Sequence, residues 1–331
     1  MRRRQFIAAL GGAVAALPSA LRAQQGDHRV RQIGVLMSVV PDDPAGDADI
    51  AALRQGLDEL GWTDGRNIQI HVRWPGGDVE RVRALAKDLV DLKPDVLIAR
   101  STPTTMALRS ETDAIPIVFV NIAEPVESGL AQTLARPGGN VTGFTNFESS
   151  IGGKWLQLLK EVDPRITRIG MIYNPQTAPF ARLFLRSVQS AAPMLSLQVV
   201  DVPVQTTSDI ETELATFARE QQGSLVAIPD SFTLEHRHLI IALAARYRLP
   251  AVYPWTSATR SGGLMAYAVD SPDAMRRAAG YIDRILKGAK PAELPVQQPA
   301  QFALSVNLKA AKALGLEFPP SLVATADEVI E

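Results

Sequence analysis

The 331-residue sequence contains no cysteine. That one absence excludes disulfides, thiolate metal sites, thiol nucleophiles and a lipid anchor attached through an N-terminal cysteine. Aromatic residues make up only 6%, and the net charge is −1 with Lys and Arg dispersed, so no basic face suggests nucleic acid. Histidine is scarce as well. His236 and His238 are two apart and point to nearly opposite sides of a helix, whereas a zinc pair wants i, i+4 spacing. With His28 and His71 they read as structural or solvated side chains, and no metal or cofactor is expected. No G-x-G-x-x-G follows the first strand, where Ser38-Val39-Val40-Pro41-Asp42-Asp43 stands instead. There is no P-loop and no G-x-S-x-G, although a Ser/His/Asp triad drawn from distant positions stays open. The apolar run Ile7–Leu17 falls well short of the roughly 20 residues that span a bilayer as a helix.

What is present at the N-terminus has the layout of a secretory signal. Arg2, Arg3 and Arg4 precede the apolar run, Pro18-Ser19-Ala20 breaks it, and Leu21-Arg22-Ala23 ends in a small residue. Residues 1–23 therefore read as a signal peptide cleaved near Ala23. The stretch Arg3-Arg4-Gln5-Phe6-Ile7 fits a twin-arginine signal, with Arg2 where Ser or Thr is usual, so Tat and Sec both stay open. An exported chain with neither anchor nor span points to the periplasm.

At 46% hydrophobic residues the composition is that of an ordinary globular protein, and the mature length suits two domains. Short apolar runs alternate with amphipathic stretches. Strands are predicted at Ile33–Met37, Ile68–Trp74, Val96–Ala99, Ile117–Val120 and Val141–Phe144. A second series follows at Ile169–Tyr173, Leu197–Val202, Leu225–Ile228, Ala251–Tyr253 and Leu264–Val269. Helical periodicity lies between them, as in Ile50, Leu53, Leu57 and Leu60. This alternation predicts an α/β fold with parallel sheets covered on both faces. The two series resemble each other: Arg31–Met37 matches Thr167–Tyr173, Asn67–Ile70 matches Ser196–Val199, and Ile115–Phe119 matches Leu249–Tyr253, in the same order and at nearly the same offset. Two similar open-sheet lobes joined near Asn146 are the natural reading; one large doubly wound sheet is the alternative.

Ligands of open parallel sheets bind beyond the carboxyl ends of the strands. Ser38, Ser101, Asn121, Asn146, Asn174, Asp230, Trp255 and Asp270 stand there. Ser101-Thr102-Pro103-Thr104-Thr105 follows a buried strand and opens a helix, which makes it either a carboxylate seat or plain N-capping. Asn174-Pro175-Gln176-Thr177 holds the corresponding place in the second series. Asp230 either receives a ligand ammonium or caps the next helix. Tyr173, Tyr253, Trp255 and Tyr267 gather near strand ends, for stacking, cation–π contact or packing between lobes.

Three stretches give the sequence a resemblance to the ABC transporter substrate-binding proteins of the tryptophan/tyrosine type: Leu57-Asp58-Glu59-Leu60-Gly61-Trp62 with Gly65-Arg66-Asn67-Ile68, Leu130–Phe144, and Leu294–Ile330. The resemblance implies a type I periplasmic-binding-protein fold, two Rossmann-like lobes joined by a three-crossing hinge. The first lobe would take 28–145 plus 272–296 and the second 146–271 plus 297–331. It implies a binding receptor and not an enzyme: a monomer that captures a small amino-acid-like or carboxylate ligand and delivers it to an ABC permease of the inner membrane. Docking of the closed form on a membrane receptor, or hydrolysis by an exported enzyme, are the alternatives. By position the resemblance puts Ser101, Thr102, Thr104, Thr105, Asn121, Asn174, Asp230 and Asp270 on cleft-lining loops, alongside Ser38, Asn146, Thr177, Tyr253 and Trp255. Members commonly carry Asp-Pro-Val after the fourth strand, whereas Glu124-Pro125-Val126 stands here.

Overall fold

A computed structural model describes residues 29–299 and 301–331; the predicted signal segment 1–23 and His28 lie outside the described residues. The first lobe contains a five-stranded parallel sheet in the order β2-β1-β3-β4-β5. Its strands are β1 (Arg31–Leu36), β2 (Ile68–Arg73), β3 (Val96–Arg100), β4 (Ile117–Ile122) and β5 (Val141–Thr145). The second lobe holds seven strands: β6 (Arg168–Tyr173), β7 (Gln198–Pro203), β8 (Gly223–Ala227), β9 (Ala251–Tyr253), β10 (Met265–Ala268), β11 (Ala303–Asn307) and β12 (Glu328–Ile330). Their order is β12-β11-β10-β9-β8-β6-β7, parallel except where β11 runs against β10.

The apolar sequence of the central strands dictates this layering. β3, β5 and β8 are buried along their whole length, so helices must cover both faces of each sheet. In the first lobe α1 (Pro44–Glu59) covers one face, and α2 (Val79–Asp91) and α3 (Thr102–Glu111) the other. In the second lobe α4 (Gly152–Val162) and α5 (Ala181–Ala191) lie opposite α6 (Thr207–Phe217) and α8 (Arg237–Arg246), with the short α7 (Ser231–Glu235) before α8 and α9 (Ser257–Arg260) after β9. α10 (Ser271–Leu286) returns to the first lobe and packs along α1. Residues 287–299 then lie beside β5, where Gln297 donates to Gly143 O at 2.9 Å and accepts from Thr145 N at 2.8 Å. The chain finally rejoins the second lobe through β11, α11 (Leu308–Leu314), α12 (Pro320–Ala324) and β12. It passes between the lobes three times: after β5, before α10, and before β11.

The predicted strands appear with ends shifted by one or two residues. β11 and β12 escape the sequence reading; β12 has only three residues and is half-buried. Among the described residues, no helix is long and apolar enough to cross a membrane.

Gly143 shows how tightly β5 is set against its neighbour. It holds φ +154°, and a Cβ there would stand 2.0 Å from Phe119 O, a backbone atom of β4. We expect Gly143→Ala to destabilise the protein by at least about 2 kcal/mol, because backbone strain at such φ values costs roughly 1–3 kcal/mol before any clash. Urea unfolding of the purified variant checks this; an unchanged midpoint would contradict the packing described.

Candidate ligand-binding site

The carboxyl ends of the two sheets face each other across a cavity of about 400 Å³, within the range of small-molecule sites. The first lobe contributes Ser38 after β1, Arg100 and Ser101 after β3, Asn121 on β4 and Ser271 at the start of α10. The second contributes Thr177, Asp230, Arg237 and Trp255, with Phe180 on the loop before α5. Asn146 and Phe147 come from the first crossing.

Two buried arginines organise the polar part. Arg100 closes the apolar strand β3, where its guanidinium Nε binds the Asp49 carboxylate on α1 and Nη1 donates to Ser38 Oγ at 2.9 Å. Asp49 has no exposed surface. It also accepts from Ser271 Oγ at 2.7 Å, and Ser271 accepts from Asn121 Nδ2 at 2.5 Å. One network thus ties α1, β3, β4 and α10 together below the cavity floor. Asn121 has φ +60° and sits at a register shift between β4 and β5, so a local bulge presents its amide to the cavity.

Arg237 begins α8 in the second lobe. Its Nη2 pairs with Asp43 of the first lobe at 2.7 Å, and Nη1 donates to Leu234 O at 3.0 Å. Asp43 also caps α1 by accepting from Ala45 N at 2.9 Å. Beside this pair, the Glu235 carboxylate accepts from Gly77 N across the same gap. Both partners of the ion pair are under a tenth exposed, so the contact is little screened by solvent. The lobes are therefore locked face to face at this edge of the cavity.

Ser101 has φ +129° and ψ 164°, a conformation that residues other than glycine rarely adopt. The hydroxyls of Thr104 and Thr105 hold it by donating to Ser101 O at 3.0 and 2.8 Å. Its own side chain makes no capping bond to α3; Pro103 has no N–H and Thr105 N donates to Ser101 O at 3.1 Å, which leaves the N–H groups of Thr102 and Thr104 without a capping side chain.

Eight of the residues singled out from sequence line the cavity: Ser38, Ser101, Thr102, Asn121, Asn146, Thr177, Asp230 and Trp255. Five do not. Thr104 and Thr105 turn inward to the Ser101 carbonyl. Asn174 uses Oδ1 to cap the backbone at Gln176 and Thr177, at 2.8 and 3.3 Å. Tyr253 is buried in the second lobe's core behind Trp255, with ring centroids 6.1 Å apart. Asp270 caps α10 and faces a neighbouring groove with Arg277 and Gln298. Tyr267 stacks on Phe302 and is absent from the lining. Glu124 likewise points away from the cavity, its carboxylate accepting from Ser149 N at 2.6 Å.

Asp230 is the N-cap of α7. It accepts from Thr233 N at 2.8 Å, Thr177 Oγ1 at 2.9 Å, Thr233 Oγ1 at 2.9 Å and Asn174 N at 3.2 Å. Burial pushes its carboxyl up to about 6, against the opposing pull of these donors. Protonation is thus easier in the folded than in the unfolded chain, and the carboxyl is ionised above about pH 6. The resulting stability is present below about pH 4 and is lost as pH rises through about 6.

Sequence reasoning missed Arg100, Arg237, Phe147 and Phe180. A signal was available for the charged pairs. Asp49 stands on the same helical stripe as Leu53 and Leu57, and Arg237 on that of Ile240, Ile241 and Ala244, so each charge lies on a buried face.

A family profile described as "ABC transporter substrate binding protein" matches residues 32–330. A tyrosine-binding protein of Clostridioides difficile (strain R20291) is 25% identical over 287 residues, which cover 87% of this chain and 82% of that protein. Among solved structures, an ABC domain from Streptococcus pneumoniae in complex with L-Trp is 26% identical and superposes with a TM-score of 0.84, covering 91% of this chain and 99% of that one. The ligand-free, open structure of a substrate-binding protein with adhesive properties from Clostridium difficile is 25% identical with equal coverage, but reaches only 0.67. The difference agrees with the apposed lobes and the Arg237–Asp43 contact seen here.

Two outcomes are expected at this site. Ser101→Gly should be more stable than Ser101→Ala by about 1–3 kcal/mol in urea unfolding, since both lose the hydroxyl and only glycine relieves the strained φ. The stability difference between the native chain and Asp230→Ala should fall by about 3 kcal/mol between pH 4 and 7, the equivalent of a two-unit elevation. A flat difference would mean that the carboxyl is not perturbed.

Proposed function

The chain belongs to the ABC transporter substrate-binding protein family, and from that premise we propose that it is the exported receptor of an ABC importer. Membership makes it a solute-binding protein and not an enzyme. In this reading it works in the periplasm, takes up a small amino-acid-like or carboxylate ligand between its lobes, and presents the closed form to a permease in the inner membrane. The observation that carries the reading is the cavity between the carboxyl ends of two separate sheets, closed at one edge by a buried ion pair that joins the lobes.

The ligand's energetic role follows from the geometry. A ligand touching Ser101 and Asn121 on one side and Thr177 and Trp255 on the other makes its full set of contacts only when the lobes meet. It therefore favours the closed state by its differential affinity. Arg237–Asp43 forms in the same movement. The proposed partition places residues 28–145 with 272–296 in one rigid body and 146–271 with 297–331 in the other. Packing of α10 on α1 supports the return of the chain to the first body, while the Gln297 bonds to β5 favour a last boundary a few residues beyond 296. The proposed ligand-facing set is the eight lining residues together with Arg100 and Arg237. The relatives' ligands, tyrosine and L-Trp, together with the lining rings of Phe147, Phe180 and Trp255, support a ligand with a flat apolar body.

Small-angle X-ray scattering on the purified mature chain, with and without a ligand found by thermal-shift screening, tests the closure. We expect the radius of gyration to fall on saturation. Asp43→Asn should enlarge the unliganded form and weaken ligand affinity several-fold, because it leaves the Arg237 guanidinium without its cross-lobe partner. An identical profile with and without ligand would overturn the hinge. Fractionation of the producing cell, with the mature chain recovered from the cytoplasm alone, would overturn the export.

A further inference from the structure

The groups around the cavity differ in how much hydrogen-bonding capacity they have left. Asp230 is the one carboxylate in the lining. An ionised carboxylate offers about four acceptor positions, and all of Asp230's are in use. Oδ1 takes the Thr233 N–H and the Thr177 hydroxyl, and Oδ2 takes the Thr233 hydroxyl and the Asn174 N–H. Asp49 and Asp43 lie behind the lining, each committed to an arginine. An ammonium group entering the cavity thus meets no carboxylate with a free position. Asn121 Oδ1 and main-chain carbonyls are neutral acceptors, which hold an ammonium by their dipoles alone and less strongly than a carboxylate does.

The donor side is the reverse. Arg237 is 5% exposed, lines the cavity, and its Nε has no hydrogen-bond partner. A buried guanidinium donor left unpaired is costly, and a carboxylate is the acceptor that matches it best. At the uncapped start of α3, ten residues long, the N–H groups of Thr102 and Thr104 add donors from the other lobe.

Resting on the receptor reading above, we infer that this cavity selects an organic carboxylate that carries no ammonium group, with Arg237 as the residue that sets the preference for the anion. An α-amino acid would seat its carboxylate equally well but would bury its ammonium against saturated or neutral acceptors. The des-amino acid avoids that cost and keeps the apolar body against Phe180 and Trp255.

Isothermal titration calorimetry on the full mature chain tests this with matched ligands: L-tryptophan, indole-3-propionate and indole-3-propionamide, and the same three forms on a phenyl and on an isobutyl body. We expect at least one acid to bind, at least about tenfold more tightly than both its α-amino counterpart and its amide. Arg237→Met should lower the acid-to-amide preference by about tenfold or more, a ratio that reduced stability alone would not move. The inference is overturned if an amino acid binds as tightly as its acid, if the acid-to-amide preference survives Arg237→Met, or if no acid in the set binds. An amino acid that binds and compacts the chain in scattering would overturn this inference while leaving the receptor reading intact. The receptor reading itself falls only when no ligand compacts the chain.

Discussion

Two buried arginine–aspartate pairs set what the space between the lobes can be. Arg100 and Asp49 sit within one lobe, and Arg237 and Asp43 join the two. A buried charge with no partner would be strongly destabilising, so each pair fixes the elements that supply its members. Through Asp49 the first pair fixes α1 to β3 and, by way of Ser271, to the helix that returns from the second lobe. Through Asp43 the second pair fixes the closed arrangement. Both arginines line the cavity, and neither of their aspartate partners does. The polar character of the site therefore differs from what a tally of charges suggests.

The duplication of the lobe explains where the cavity lies. Each sheet has parallel strands whose carboxyl ends carry loops and helix N-termini, and each alone would leave those groups in water. Facing the two sheets brings both sets of ends into one enclosed space. The three crossings make this possible without fusing the lobes, because α10 and the segment 287–299 pack on the first lobe before the chain leaves it again. At this seam Ser101 and Asn121, both at the ends of first-lobe strands, hold positive φ. Hydrogen bonds from Thr104, Thr105 and the Asp49 network hold these conformations against the cost.

Asp230 shows the difference between chemical type and available capacity. A carboxylate at a strand tip is a natural partner for an ammonium, and its place on the cavity wall agrees with that. Yet its oxygens are filled by the turn it caps and by the neighbouring Asn174–Thr177 loop. It acts as an internal brace between two loops of the second lobe. Arg237 is the converse, a residue with a structural contact to Asp43 that still has a donor to spare.

The alternation of strands and helices, the duplicated lobe and the loops around the cavity are legible in the chain alone. These depend on local periodicity and on the rule that parallel sheets bind at their carboxyl ends, both readable from a few residues at a time. The sequence also placed Ser38, Ser101, Asn121, Thr177 and Trp255 at the cavity between the lobes, since a strand end has little freedom in where it points. Which polar groups are already satisfied depends on contacts made in the folded chain. Thr104 and Thr105 turn to the Ser101 carbonyl, Asn174 caps its own turn, and Asp230 is saturated. Arg100 and Arg237 become cavity residues through partners 51 and 194 positions away. Hydrogen-bond capacity is settled by contacts between distant segments, and no local pattern in the chain encodes them.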